Sequence, residues 1–209
     1  MANSDNASLL LKGLRTNQIN SLLGFQNLVE ANKPARSNAH AFGLSTWTDG
    51  ALAATGVGCV VAIPVQPGDT ISRVGILVGA TAGATMTNQF AALYAGTGAK
   101  PALLGQSKDT TSAAIAAEKL AEWTLESPIE LTATTAPNGF IYVEVAITAA
   151  TIPTAAAVAT PKALQPSGGY GPNAPLFLSA TAGSALAGTA QAEITSPTSK
   201  AVAPIVILR

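Results

Sequence analysis

The chain has 209 residues, which is enough to bury a hydrophobic core without help from a metal ion or a disulfide. Its 11 basic and 11 acidic residues give a formal net charge of zero, which argues against the clustered positive charge of a nucleic-acid-binding domain. Charged residues make up 11% of the chain, against roughly a quarter in ordinary soluble domains. Such a weakly charged surface suits a subunit that buries much of itself against neighbours.

Residues 1–41 differ in composition from the rest of the chain. Thr16 is a candidate N-cap for a short helix over residues 17–31, in which the apolar side chains fall near helical spacing, and Pro34 ends the pattern. A helix this short is marginal alone, so it either packs on its own domain or reaches a partner as an arm. We expect a docking arm over residues 1–41. Its predicted partner-docking residues are Lys12, Arg15, Leu22, Leu23, Phe25, Lys33 and Arg36. The first residues lack the basic region and the long apolar stretch of a secretory signal, so we expect synthesis in a cytoplasm without export by that route.

The remaining residues, 42–209, predict an all-β domain, an antiparallel β-sandwich of jelly-roll-like type. Their pattern is one of short apolar runs bounded by Pro, Gly, Asp and Asn, which is typical of sandwiches. In the first half, the predicted strands cover residues 42–48, 56–65, 70–78, 88–95 and 102–106, with turns at 49–50, 66–69 and 79–85. On the fourth of these strands, Phe90, Ala92 and Tyr94 share one face by period-two spacing.

In the second half, the strongest strand pattern lies at residues 139–147, preceded by a shorter strand at 120–125. Its odd-numbered residues Ile141, Val143, Val145 and Ile147 are predicted to face the core, and Phe140, Tyr142, Glu144 and Ala146 to face the other way. The Ala-rich residues 110–118 are compatible with a helical turn. Residues 148–188 are predicted to form long loops around one strand at 176–178. The C-terminal strand, 201–208, contains Pro204, which cannot donate to a ladder and therefore predicts an edge or a bulge.

Side chains that could carry chemistry are few. His40 is the only histidine, and no activated serine motif accompanies it. Cys59 is the only cysteine and is predicted to be a small buried hydrophobe. Paired carboxylates can serve a glycosidase, and four glutamates spaced by four residues would stack on a helix: Glu118, Glu122, Glu126 and Glu130. The residues around them favour a strand, however, and a strand separates these side chains. We therefore expect no catalytic residues, no metal site and no cofactor, and we predict that the protein is not an enzyme. No apolar run reaches the roughly 18 residues of a membrane helix.

Several short motifs carry a resemblance to a known group of proteins. They are residues 61–71 (Val-Ala-Ile-Pro-Val-Gln-Pro-Gly-Asp-Thr-Ile), 92–94 (Ala-Leu-Tyr), 104–107 (Leu-Gly-Gln-Ser), 123–125 (Trp-Thr-Leu), 128–129 (Pro-Ile) and 139–143 (Gly-Phe-Ile-Tyr-Val). In their order and spacing, from about residue 42 onward, the chain resembles β-sandwich structural proteins of tailed bacteriophages, especially those that infect actinobacteria. Such domains are found as capsid decoration or head-fibre proteins and as minor tail modules. The motifs belong to the fold, so the resemblance implies a role in the virion and brings no catalytic residues.

The resemblance and the sparse charge together predict a capsid decoration subunit that binds the phage head lattice after assembly in the host cytoplasm. Its expected partners are the major capsid protein and copies of itself, in a homo-oligomer for which a trimer is favoured, with no nucleic acid and no membrane. The alternative is a tail-fibre or minor tail module that recognises a host surface glycan. A glycan hydrolase is a third, weaker alternative.

Overall fold

The computed structural model of the chain describes residues 36–38, 48–97, 100–111, 113–159 and 178–209. These residues form an antiparallel β-sandwich, and the described part contains no α-helix, so the predicted fold class is confirmed. The predicted N-terminal helix lies outside the described residues, as do His40 and six of the predicted docking residues: Lys12, Arg15, Leu22, Leu23, Phe25 and Lys33. Among the residues that are described, no helix has the length and apolar character needed to cross a bilayer.

The described residues contain thirteen strands. In chain order they are β1 (Arg36–Ser37), β2 (Thr48–Ala51), β3 (Gly58–Pro64), β4 (Thr70–Leu77), β5 (Ala84–Tyr94), β6 (Leu103–Gln106), β7 (Leu120–Glu130), β8 (Phe140–Thr151), β9 (Thr154–Ala159), β10 (Ser179–Ala182), β11 (Thr198–Ser199), β12 (Val202–Pro204) and β13 (Val206–Leu208). The predicted strands at 56–65, 70–78, 88–95, 102–106, 120–125 and 139–147 all lie on these elements.

Three sheets result from the pairing of these strands. The large sheet has the order β11-β10-β3-β8-β5-β6, and the small sheet has the order β1-β13-β4-β7. A side sheet, β12-β9-β2, completes the described fold. Neighbouring strands in all three sheets run antiparallel. Among the connections that the structure describes in full, those within one sheet are hairpins and the others cross from one sheet to another.

The main core lies between the large and the small sheet. On β8, Ile141, Val143, Val145 and Ile147 are each at most 4% exposed, as the period-two pattern predicted. They share one hydrophobic cluster with Val74 and Ile76 of β4 and with Trp123 of β7. The alternation along β8 thus places its odd-numbered side chains against the opposite sheet.

A second, smaller core covers the other face of the large sheet. Phe90, Tyr94, Phe140 and Tyr142 are at most 8% exposed there, and the rings of Phe140 and Tyr142 meet edge to face at a centroid distance of 5.4 Å. The cover comes from residues 183–197, the loop that joins β10 to β11, which we call the strap. Its Ile194 is fully buried against this face, with Leu186 and Ala190 packed beside it. The sequence placed the aromatic residues on one face but did not show that this face is also buried.

Two sequence predictions about local structure are wrong at the side sheet. Asp49 and Gly50 were predicted to turn, but they pair with Ala156 and Ala155 inside β2. Gly50 fits there because a Cβ atom would lie 2.7 Å from the Cβ atom of Ala157. The strand β9 itself was missed, since its run of alanines has low β-propensity and was assigned to a long loop. Burial among neighbouring strands decides the conformation here.

The alanine-rich segment at 110–118 is not helical in its described residues. The side-chain amide of Gln89, which is 2% exposed, donates to the carbonyls of Thr110 and Ala113. These hydrogen bonds hold the segment against β5 in an irregular conformation. In the predicted strand at 176–178, the first two residues lie outside the described part, and Leu178 occupies the bend before β10.

The C-terminal strand changes sheets at Ile205. Before this residue, β12 forms an edge of the side sheet by pairing with β9, and after it, β13 pairs with β4 in the small sheet. The prediction of an edge or bulge at Pro204 is therefore confirmed. Because β13 lies between β1 and β4, this switch ties the side sheet to the small sheet.

The sandwich begins earlier in the chain than the predicted boundary between residues 41 and 42. Arg36 and Ser37 already pair with Leu208 and Ile207 of β13. Residues 36–38 therefore belong to the sandwich. The docking role of the segment before them stays a prediction.

Substituting Val143 by Asp is expected to destabilise the protein by more than about 4 kcal/mol, because the carboxylate would be buried without a partner in the main core. Thr124→Asp is the matched control, since Thr124 is exposed on β7, and its effect is expected to stay within about 0.5 kcal/mol. Denaturant unfolding followed by circular dichroism measures both. Equal stability of Val143→Asp and the wild type would contradict the assigned core face.

Candidate functional site

The polar cluster around strand β1 is the candidate site, because it joins the sandwich to the segment predicted to dock. The Arg36 guanidinium forms a two-pronged ion pair with Asp69, from Nε to Oδ2 and from Nη2 to Oδ1, both at 2.8 Å. Nη2 also donates to Oε1 of Gln66 at 3.1 Å. Two parallel hydrogen bonds of this kind fix the orientation of the guanidinium in addition to pairing the two charges. Arg36, Asn38 and Asp69 together are called the β1 anchor below.

Asp69 is held by the turn between β3 and β4. The turn needs a left-handed residue, and Gly68 provides it with φ at +93°. The backbone amide of Gln66 then donates to Asp69 Oδ2 at 2.8 Å. Burial by itself raises the pKa of the Asp69 carboxyl, but the hydrogen bonds from Arg36 and Gln66 outweigh it and hold the pKa below its usual value. The carboxylate is thus ionised and fully engaged at neutral pH.

Asn38 completes the anchor at the point where the C-terminal strand changes sheets. Its side chain is fully buried. Nδ2 donates to the Pro204 carbonyl at 2.7 Å, and Oδ1 accepts from the Val206 amide at 2.9 Å. These two backbone groups flank Ile205, where the regular ladder is interrupted. One amide side chain therefore satisfies both backbone groups, which would be costly to bury unpaired.

The polar side chains of the anchor are engaged in hydrogen bonds within the sandwich, so the anchor offers no free acid, base or nucleophile. Among the predicted docking residues, Arg36 is the one the structure describes, and its guanidinium is engaged within the chain by Asp69 and Gln66. Arg36 is therefore held within the sandwich. Sequence spacing alone does not reveal that Arg36 pairs with the Gln-Pro-Gly-Asp turn, so the sequence carried no signal for this position of Arg36.

Cys59 is fully buried, as predicted. Burial raises the pKa of its thiol to about 11, so the thiol stays neutral and unreactive at physiological pH. Lys200 Nζ lies 4.0 Å from its sulfur and also donates to the carbonyls of Ala51 and Leu52. The ammonium therefore closes the end of β2, and the thiol takes part as a packed apolar group.

The glutamates of β7 are separated along the strand, as the sequence indicated. Glu122, Glu126 and Glu130 are exposed, and Glu122 lies 3.5 Å from Arg209 Nη1. Within the described ranges, no group of three or more His, Cys, Asp or Glu side chains is placed to hold a metal ion. The row of carboxylates thus forms a solvated strand face.

The sequence reasoning missed a buried polar cluster on the outer face of the large sheet. Glu144 of β8 is fully buried, and its Oε2 accepts a hydrogen bond of 2.6 Å from the Tyr94 hydroxyl. Its Oε1 accepts one of 3.3 Å from the Gln191 amide of the strap. Gly58 on the neighbouring strand leaves the space that this carboxyl fills, since a Cβ atom there would collide with it. A charged residue in the most apolar strand of the chain was the available signal.

Comparison with known proteins adds no family assignment. No protein-family model matches the chain, and a search of curated proteins found no match.

Replacing Arg36 by Ala is expected to lower the free energy of unfolding at pH 7 by about 1 to 2 kcal/mol, because a bidentate ion pair with a largely buried carboxylate is lost. The pKa of Asp69 is lowered by folding, so the stabilisation is present above its unfolded pKa of about 4 and is lost as the pH falls through the folded value. The gap between wild type and variant should close on acidification. Arg73→Ala, at an exposed arginine of β4, is the control and should show no such closing gap.

Replacing Asn38 by Ala is expected to cost about 3 kcal/mol, because the Pro204 carbonyl and the Val206 amide would both be left buried without a partner. Hydrogen exchange of the Val206 amide gives a local readout and should accelerate. Thr151→Ala, at the exposed end of β8, serves as the control. Unchanged protection at Val206 would show that Asn38 does not hold the sheet switch.

Proposed function

We propose that the protein is a non-catalytic structural subunit of a bacteriophage virion, and specifically a decoration protein of the capsid. Its partners are the major capsid protein and further copies of itself, with a trimer as the favoured assembly. The single observation that carries the proposal is the character of the exposed surface, which is dominated by alanine and threonine and is sparse in charge.

Such a surface suits lasting contact with other subunits. Alanine has no side-chain rotamers to lose on association, whereas ordering a lysine or glutamate side chain costs up to about 2 kcal/mol of conformational entropy. Few charges also mean little desolvation cost when the surface is covered. A free cytosolic monomer gains solubility from the opposite composition. The surface therefore supports a protein that functions within an assembly.

The β1 anchor supports the predicted division of the chain into a docking segment and a sandwich domain. Arg36 and Asn38 attach the chain firmly at the edge of the small sheet, through Asp69 and the sheet switch. In the proposal, residues 1–35 dock on the capsid with the basic residues Lys12, Arg15 and Lys33 and the apolar residues Leu22, Leu23 and Phe25. A rigid anchor transmits that attachment to the whole sandwich.

The alternative function, recognition of a host glycan by a tail module, has less support from the described residues. Sugar-binding surfaces commonly use exposed aromatic rings, but Tyr94, Tyr142 and Trp123 are each at most 2% exposed. Copy number separates the two functions. Quantitative mass spectrometry of purified virions should find hundreds of copies if the protein decorates the head. A handful of copies would instead favour the tail module.

A variant that lacks residues 1–35 is expected to fold but to lose binding to empty phage heads, because the docking segment is removed while the anchor is kept. The cut precedes Arg36 so that β1 remains intact. Co-sedimentation with heads measures binding, and thermal unfolding checks the fold. Lys119→Ala, at an exposed site on the sandwich, is the control and should bind like the wild type. Wild-type affinity of a folded truncated variant would contradict the docking role.

A further inference from the structure

The strap has the construction of a lid. Its ends are held side by side, because β10 and β11, which flank it, pair with each other. Left-handed backbone occurs close to both ends, at Gly183 with φ of +71° and at Ser196 with φ of +47°. A loop whose two ends meet in one hairpin can detach as a unit without disturbing the sheet that carries it.

Local contacts close the strap over the outer aromatic face of the large sheet. Its backbone amides at Leu186 and Ile194 donate to the carbonyls of Gly56 and Pro101, at 2.8 and 2.9 Å. The side chain of Ile194 is fully buried among the residues of the second core. Three further hydrogen bonds hold the strap: the Leu103 amide donates to the Ala192 carbonyl, the Ala190 amide to the Gln106 side chain, and the Thr148 hydroxyl to the Leu186 carbonyl.

One buried carboxyl group, that of Glu144, lies beneath the strap and accepts a hydrogen bond from it. Gln191, in the middle of the strap, donates to Glu144 Oε1, while Tyr94 donates to Oε2 from the sheet. Both of these hydrogen-bond partners are neutral. The charge state of Glu144 therefore acts directly on the interface between strap and sheet.

We propose that the strap is a pH-controlled lid, closed while Glu144 is protonated and released when Glu144 ionises, so that the aromatic face beneath it becomes accessible. Release would let water reach the carboxylate, which the closed state excludes. The exposed surface would include Phe90, Tyr94, Phe140 and Tyr142, a set of rings suited to contact with another apolar or aromatic group.

The sign of the pH dependence follows from burial. Burial raises the pKa of Glu144, and the hydrogen bonds from Tyr94 and Gln191 offset this only in part. The closed state is thus most stable below the ordinary pKa of a glutamate, about 4, and loses stability as the pH rises from there through the raised pKa. The pKa of Tyr94 on β5 is itself raised, by burial and by the charge of Glu144. The other titratable groups on the surrounding elements are Tyr142 of β8, Cys59 of β3, Glu193 of the strap, Asp109 beside Gly188, Lys100 and Lys108 flanking β6, and Lys200 after β11.

Hydrogen exchange of the full chain between pH 5 and pH 9, corrected for intrinsic exchange rates, tests the lid. The amides of Leu186 and Ile194 report on the strap, and those of Val74 and Val143 report on the main core. Between the ordinary pKa of a solvated glutamate, about 4, and the raised pKa of the closed state, protection of the strap amides should fall by up to about tenfold per pH unit, as one linked proton requires, and then level off, while core protection does not change. Flat strap protection, or a parallel loss in the core, would overturn the proposal.

Three variants test whether Glu144 causes the loss of strap protection. Glu144→Gln, which cannot ionise, should keep the strap protected across the range, and Glu193→Gln, at an exposed carboxyl on the strap itself, should behave like the wild type. Tyr94→Phe removes a hydrogen bond that lowers the pKa of Glu144 in the closed state, so the loss of protection should continue to a higher pH before it levels off. If Glu144→Gln does not fold, the Tyr94→Phe shift decides the question, and an unchanged pH at which the loss levels off would refute the role of Glu144.

Discussion

The structure depends on one constraint, which is that strand β8 is buried on both faces. From Phe140 to Ile147 every residue of this strand is buried. One face requires the small sheet as a partner, and the other requires the strap. Because β8 also pairs along its edges with β3 and β5, it is covered in every direction. The two cores and the order of strands in the large sheet follow from the need to cover this strand.

The sandwich resolves its few buried polar groups by local pairing. Asn38 satisfies the backbone at the point where the C-terminal strand leaves the side sheet for the small sheet. Glu144 is accommodated by a tyrosine, a glutamine and the missing side chain of Gly58. The two pairings, by Asn38 and around Glu144, differ in how they respond to pH. An amide is neutral at every physiological pH and gives a fixed joint, whereas a carboxyl gives a joint whose stability changes with protonation.

These features fit the proposed role of a capsid decoration subunit. A weakly charged surface favours lasting contact with neighbours, and the β1 anchor lies at the start of the sandwich, directly after the segment proposed to dock. The strap adds a part that can respond to its surroundings while the rest of the fold stays rigid.

The sequence by itself determined the fold class, most of the strands and the core face of β8, because period-two alternation reports directly on which side of a strand is buried. It also indicated the break at Pro204, since proline cannot donate to a ladder. Only the tertiary structure decided that the alanines of β9 form a strand, that Arg36 belongs to the sandwich, and that Glu144 lies under the strap. Each of these depends on contacts between residues distant in the chain, such as Arg36 with Asp69 and Glu144 with Gln191, and local sequence patterns carry no information about such pairs.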